Sequence, residues 1–208
     1  MRGNSVEGVS DINLLIILNQ STAAAHQSVA RAIGEQSRID PFVLGRHGFE
    51  RSERAFATKF ASIRRNYRVL AGADPLADLK IDPELERFLC EQALRNLRLR
   101  LVHSFVTRHQ HKAYDRFLVN SVTTIFVQFS EALRLNGAAI PADFAARIPV
   151  LEREYKLDGR VLSDLLALKE SPHHLSETEM VAWHERVFPA VDAVVAFIES
   201  RWPVAPVK

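Results

Sequence analysis

Only one cysteine, Cys90, occurs in 208 residues. That excludes a disulfide scaffold and any multi-cysteine zinc site. Glycine is scarce at eight, too few for an all-β fold rich in tight turns. No apolar run approaches the ~18–20 residues of a membrane-spanning helix. The opening stretch, Met1 to Ser10, is small and polar. It lacks the basic and apolar regions of a signal peptide, so a cytoplasmic protein of bacterial type is expected. Neither sign of charge dominates, with 27 Lys and Arg against 25 Asp and Glu and a formal net charge of +2. What is present is ordinary: 47% hydrophobic and 25% charged residues describe a globular chain with enough length for one good core or two small ones.

The charge is unevenly spread. Arg46 to Arg68 holds seven basic residues against Glu50 and Glu53, and Arg87 to Lys112 holds six against Glu91. From Ala142 to Trp202 the balance reverses to eleven acidic against seven basic. A positive middle attracts phosphates or nucleic acid. Arginines on a solvated helix face produce the same count, and both readings stay open.

Asp11 to Leu18 reads Asp-Ile-Asn-Leu-Leu-Ile-Ile-Leu, a continuous apolar run that suits a strand buried on both faces. Ser21 can cap a helix that Gly34 ends, and Ile39 to Leu44 makes a second short strand. The rest reads as helix. Phe56, Phe60, Ile63, Tyr67 and Leu70 recur at helical steps between Glu50 and Leu70. Asp82-Pro83-Glu84 starts a helix with Leu85, Phe88, Leu89, Ala93, Leu97, Leu101 and Phe105 as its stripe. A further helix spans about Lys112 to Asn136. Pro141 opens a shorter piece around Phe144, Asp158 caps another helix, and Ser176-Glu177-Thr178-Glu179 is a capping box for the last. The expected class is α+β, predominantly α. A small partial α/β lobe, residues 1–75, precedes an antiparallel bundle of four or five helices, residues 76–208.

One short motif carries chemistry. Arg2-Gly3, followed by Ser10-Asp11-Ile12-Asn13-Leu14-Leu15, resembles the polymerase-β-type nucleotidyltransferase superfamily, whose members carry Gly-Ser, commonly Arg-Gly, and Ser-Asp-hydrophobic-Asp at a strand edge. Two carboxylates one residue apart on a strand face the same way. They hold Mg²⁺ against nucleotide phosphates, where the metal neutralises charge and aligns in-line attack. Tyr67 to Pro75 and the helix with Phe56 and Phe60 look like the body of nucleotidyltransferases related to the aminoglycoside adenylyltransferases, in which a helical C-terminal domain follows. The resemblance implies Asp11 as metal ligand and catalytic acid, Asp40 as third acid, and Arg2, Gly3, Ser10 and Asn13 around a nucleoside triphosphate in a cleft between the lobes. If active, such a protein transfers a nucleoside monophosphate to a hydroxyl.

This sequence departs from the family at decisive places. The Gly-Ser pair would lie before Met1, which implies an N-terminally truncated form. The second carboxylate is replaced by Asn13, whose amide brings no negative charge, and Lys59 stands where another acid is expected. The expected protein is therefore catalytically impaired, with Mg²⁺ binding weak or lost. Plainer roles exist as well: Asp11 as a strand-start residue, Asp40 in a turn with Pro41, Asn13 bonded to a neighbouring loop.

Two alternatives come from other features. An incomplete sheet with an open edge fits a non-enzymatic, homo-oligomeric interaction module. Arg98 and His103, in Arg-x4-His spacing, resemble the ribonuclease motif of HEPN helical bundles, in which histidine acts as acid or base and arginine steadies phosphate charge. His109, His111, His173, His174 and His184 lack the spacing of a zinc site.

Overall fold

The apolar run does form a strand, β1 (Ile12–Leu18). It pairs in parallel with β2 (Ile39–Gly45), so that Ile12 lies beside Ile39, Asn13 beside Asp40, and so on to Leu18 beside Gly45. The computed structural model describes residues 12–36, 38–111 and 114–202. The chain divides into two compact units, residues 1–85 and 86–208, at the first turn of one long helix.

In the first unit, α1 (Ala23–Ile33) joins the two strands. Thr22, not Ser21, is its N-cap, and the hydroxyl of Thr22 accepts from the Ala25 amide at 3.2 Å. Gly34 ends the helix at φ 58°, a conformation that costs a side chain dearly. Ala25, Val29 and Ile33, four residues apart, are its half-buried stripe. The single helix expected over Glu50 to Leu70 is instead two, α2 (Arg46–Ser52) and α3 (Ala57–Arg65). The chain leaves helical geometry at Asn66, and Gly72 at φ 78° with Pro75 keeps it out. Tyr67 and Leu70 consequently lie exposed. The Tyr67 hydroxyl donates to the Asp74 carboxylate at 2.6 Å, and the same carboxylate accepts from the Leu76 amide at 2.9 Å.

One face of the sheet, carrying Leu15, Ile17, Phe42 and Leu44, packs on a small core of Phe49, Phe60, Leu76 and Leu79. Phe60 is fully buried, with the rings of Phe49, Phe42 and Phe56 at 5.0, 6.1 and 6.2 Å. Arg64 donates to the Leu79 carbonyl and ties the segment after α3 to that helix.

The second unit is helical: α4 (Pro83–Val106), α5 (Arg108–His111), α6 (Tyr114–Leu135), α7 (Phe144–Tyr155), α8 (Gly159–Glu170) and α9 (Glu177–Arg201). Two start signals are obeyed: Asp158 caps α8, and Ser176 with Glu179 closes both halves of the capping box on α9. At α7 the cap is Asp143, two residues after the Pro141 expected to open it. Pro189 lies inside α9 without ending it. The core centres on α6, where Leu118, Val122, Phe126, Phe129 and Leu133 meet Leu151, Leu162, Leu165, Val191 and Val194 from α7, α8 and α9. Tyr155 is buried and donates to the Phe129 carbonyl at 2.6 Å. From α4, the residues turned inward are Cys90, Leu94, Leu97 and Leu101. Phe88, expected in that stripe, is 59% exposed. The reason is angular: at about 100° per residue, Phe88 points away from the row that starts at Cys90.

A buried ionic cluster joins α4 to α6. The Arg134 guanidinium donates to Glu131 at 2.6 Å and to Glu86 at 2.8 Å, and Glu131 is only 5% exposed. Burial, reinforced by the Glu131 charge, pushes the nearby Cys90 thiol up to about 12. The architecture is thus the predominantly α member of the α+β class that the pattern predicts. No helix among the described residues is long and apolar enough to cross a membrane.

Candidate functional site

Of the residues implied by the nucleotidyltransferase resemblance, Arg2, Gly3, Ser10 and Asp11 lie outside the described residues. Asn13 and Asp40 lie inside them, and register brings them together. They are direct neighbours across the parallel pair, both exposed, at the amino end of the two strands. Side chains two places apart on a strand share a face, so this pair is continuous with Leu15–Phe42 and Ile17–Leu44. A cation stands on the same face, since Lys59 Nζ lies 4.2 Å from the centre of the Phe42 ring. The arrangement is one carboxylate, one neutral amide oxygen and one ammonium. Both oxygens are hard donors of the kind Mg²⁺ accepts, but they bring a single negative charge. Among the described residues no group of three or more His, Cys, Asp or Glu could hold a metal ion.

The opposite, carboxyl end of the strands carries a cluster that sequence reading did not anticipate. Ser21 Oγ and His26 Nε2 are hydrogen-bonded at 2.8 Å, and Arg46 donates to the Asn19 side-chain oxygen at 3.4 Å. Gly45 makes room for this loop: a Cβ there would fall 2.8 Å from the Ser21 Cβ. The signal that could have found it is the polar run Asn19-Gln20-Ser21-Thr22 set between a strand and a helix start. Four such residues exceed what one cap requires. The Ser21–His26 bond is exposed and holds the loop against α1.

Arg98 and His103 lie on α4 but are not brought together. Five residues of helix rotate one from the other by about 140°. The Arg98 guanidinium donates to Asp192 at 2.7 Å and stacks over Phe188 at 5.0 Å, while His103 is exposed. Among the other histidines, His174 meets Asp115 at 2.7 Å and His109 meets Glu177 at 3.5 Å.

His184 has the most specific surroundings. Its ring is stacked on Phe105 with centroids 3.8 Å apart and planes within 4°, and the Phe188 ring is 5.6 Å away, tilted by 29°. The Tyr114 hydroxyl is 3.1 Å from its Nδ1, and Arg108 sits over the far face of Phe105 at 4.1 Å. Burial first, and the Arg108 charge second, hold the imidazole below its usual pKa. A native state that resists protonation while the unfolded chain accepts it has full stability above about pH 6.5 and loses some of it as pH falls below that value. Thermal melts from pH 8 to pH 5 should therefore slope less steeply for His184→Phe than for the natural chain. Equal slopes would show that this stack does not disfavour the charged ring.

Compared with known proteins, the chain matches no family model, no curated protein and no solved structure.

Proposed function

We propose that this chain is a nucleotidyltransferase-like protein that binds a nucleoside triphosphate through its first unit and is catalytically impaired. The observation that carries the reading is the register of Asn13 beside Asp40. An active site of this chemistry places carboxylates side by side on a strand face so that Mg²⁺ can bridge them to phosphate oxygens. Here an amide stands beside the acid. Asp40 and Asn13 would hold one Mg²⁺, which supplies charge neutralisation for the phosphates. The ammonium of Lys59 attracts the phosphate chain to the same face. Two carboxylates, Asp40 and the Asp11 that the resemblance implies, in place of three make binding weak and leave the metal poorly fixed for in-line attack. Were turnover retained, it would be transfer of a nucleoside monophosphate to a hydroxyl, with Asp40 as the acid facing the acceptor.

Calorimetry with ATP and Mg²⁺ tests this. Binding that is weak, needs Mg²⁺ and disappears in Asp40→Ala is the expected result. Asn13→Asp, which restores the carboxylate that the motif lacks, should tighten Mg²⁺-dependent binding about tenfold, worth ~1.4 kcal/mol. No heat with ATP, or binding indifferent to both substitutions, overturns the proposal.

A further inference from the structure

The carboxyl end of the two parallel strands holds a nucleophile and a base in contact. Ser21 Oγ lies 2.8 Å from His26 Nε2. With the imidazole proton on Nδ1, the hydroxyl donates to Nε2, and that arrangement activates a serine for attack. Both residues are exposed, so a substrate can reach them. The bond is not needed to start α1, because Thr22 supplies the cap. Nor does an exposed hydrogen bond between neutral groups add much to stability.

The backbone fixes the nucleophile where it stands. Ser21 sits on the turn between β1 and α1, outside the carboxyl ends of the strands, where open α/β sheets bind their ligands. Gly45, the last residue of β2, is pressed against it. A Cβ on Gly45 would meet the Ser21 Cβ at 2.8 Å and the Ser21 nitrogen at 3.2 Å. The close approach brings the next residue, Arg46, to the same place. Its guanidinium donates to the neutral oxygen of Asn19 at 3.4 Å, and no carboxylate pairs with it among the described residues. Its charge is therefore available to a substrate anion.

We infer that Ser21 and His26 are the nucleophile and general base of an esterase site for small carboxylic esters that carry a negative charge, which Arg46 attracts. Ser21 Oγ attacks the ester carbonyl carbon, and its proton passes to His26 Nε2. The bond from that carbon to the alcohol oxygen breaks, and Nε2 returns the proton to the leaving alcohol. Water then attacks the acyl-serine with Nε2 as base again. The carboxylic acid leaves, and the proton goes back to Ser21 Oγ. The pair lies about 20 Å from Asn13 and Asp40, at the other end of the strands, so this activity stands or falls independently of nucleotide binding.

The probe is the acetyl ester of a hydroxynitrobenzoate, an anionic chromogenic ester, with p-nitrophenyl acetate as its neutral counterpart. The full chain should release the coloured phenolate in a fast phase of about one equivalent, and peptide mass spectrometry should find the acetyl group on Ser21. Ser21→Ala should abolish both with the thermal melt unchanged, since Thr22 still caps α1. In His26→Gln the side-chain amide can still hold Ser21 but cannot take its proton. That variant should slow the fast phase about 100-fold, whereas a merely structural histidine would leave it alone. In Arg46→Ala the ratio of the anionic to the neutral rate should fall about tenfold. A fast phase that survives Ser21→Ala or His26→Gln, acetylation confined to other residues, or release no faster than in buffer each overturns the esterase. An unaltered ratio in Arg46→Ala overturns its preference for anionic esters.

Discussion

Phe60→Ala is expected to unfold the first unit while the helical unit stays intact. The first unit has few large side chains fully out of water: Phe49, Phe60, Leu76 and Leu79 form its buried cluster. Phe60 is the member that touches three other rings. Truncating a buried phenylalanine costs about 3–5 kcal/mol, and each lost ring pair adds roughly 0.5–1.5 kcal/mol. A two-stranded sheet is marginal without such backing, and domains of this size have only ~5–15 kcal/mol in total, with small ones near the bottom of the range. The loss is thus of the same order as the whole stability of the unit. Limited proteolysis of the variant should cut between Arg38 and Asp82 and leave a fragment containing α4 to α9. Far-ultraviolet helicity should fall by only about a fifth, because most helical residues belong to the second unit. A proteolysis pattern identical to that of the natural chain would show that this ring cluster is not what holds the first unit together.

The second large effect is expected from Arg134→Met. The substitution keeps a long apolar stem but removes the cation from Glu131 and Glu86, which are 7% and 13% exposed at their side chains. Two carboxylates then face one another where solvent screens them poorly. Stripping one partner from a buried ionic group costs about 3–5 kcal/mol, or roughly 1–5 M in the urea midpoint at ordinary slopes. The exposed pair Arg153–Glu154, 70% and 37% exposed, provides the contrast, since Arg153→Met should cost less than ~1 kcal/mol. The triple change Arg134→Met, Glu131→Gln, Glu86→Gln should recover much of the deficit, because it is the excess negative charge and not the missing bridge that destabilises. If Arg134→Met and Arg153→Met behave alike, the cluster between α4 and α6 is better solvated than its burial indicates.

Much of the fold was legible from local signals. The apolar run after Asp11, Gly34 as a stop, Asp158 as a cap and the Ser176–Glu179 box each specify backbone conformation through nearest neighbours, and each appears where the pattern places it. The errors arose where local signals do not decide. Periodicity marked Phe88 as apolar and helical, but α4 carries two apolar rows, and only tertiary packing selects the one that turns inward. The end of α3 at Arg65 follows from the exit at Asn66 and the turn at Gly72 to Pro75, which outweigh the recurrence of Tyr67 and Leu70. The candidate site was half legible. Asn13 and Asp40 were recognisable from residue type, but their adjacency is a matter of strand register, fixed by contacts far apart in sequence. The Ser21–His26 pair was missed because Thr22 rather than Ser21 serves as the cap, which frees the Ser21 hydroxyl for a partner five residues on.

The sulfhydryl sealed between α4 and α6 has a practical consequence. With burial raising the pKa of its thiol, Cys90 presents almost no reactive anion at neutral pH. Alkylating reagents will therefore reach it only when the helices around it part. Its rate of modification is a built-in clock for the opening of the second unit, and any engineered thiol on the surface can be labelled without competition from it.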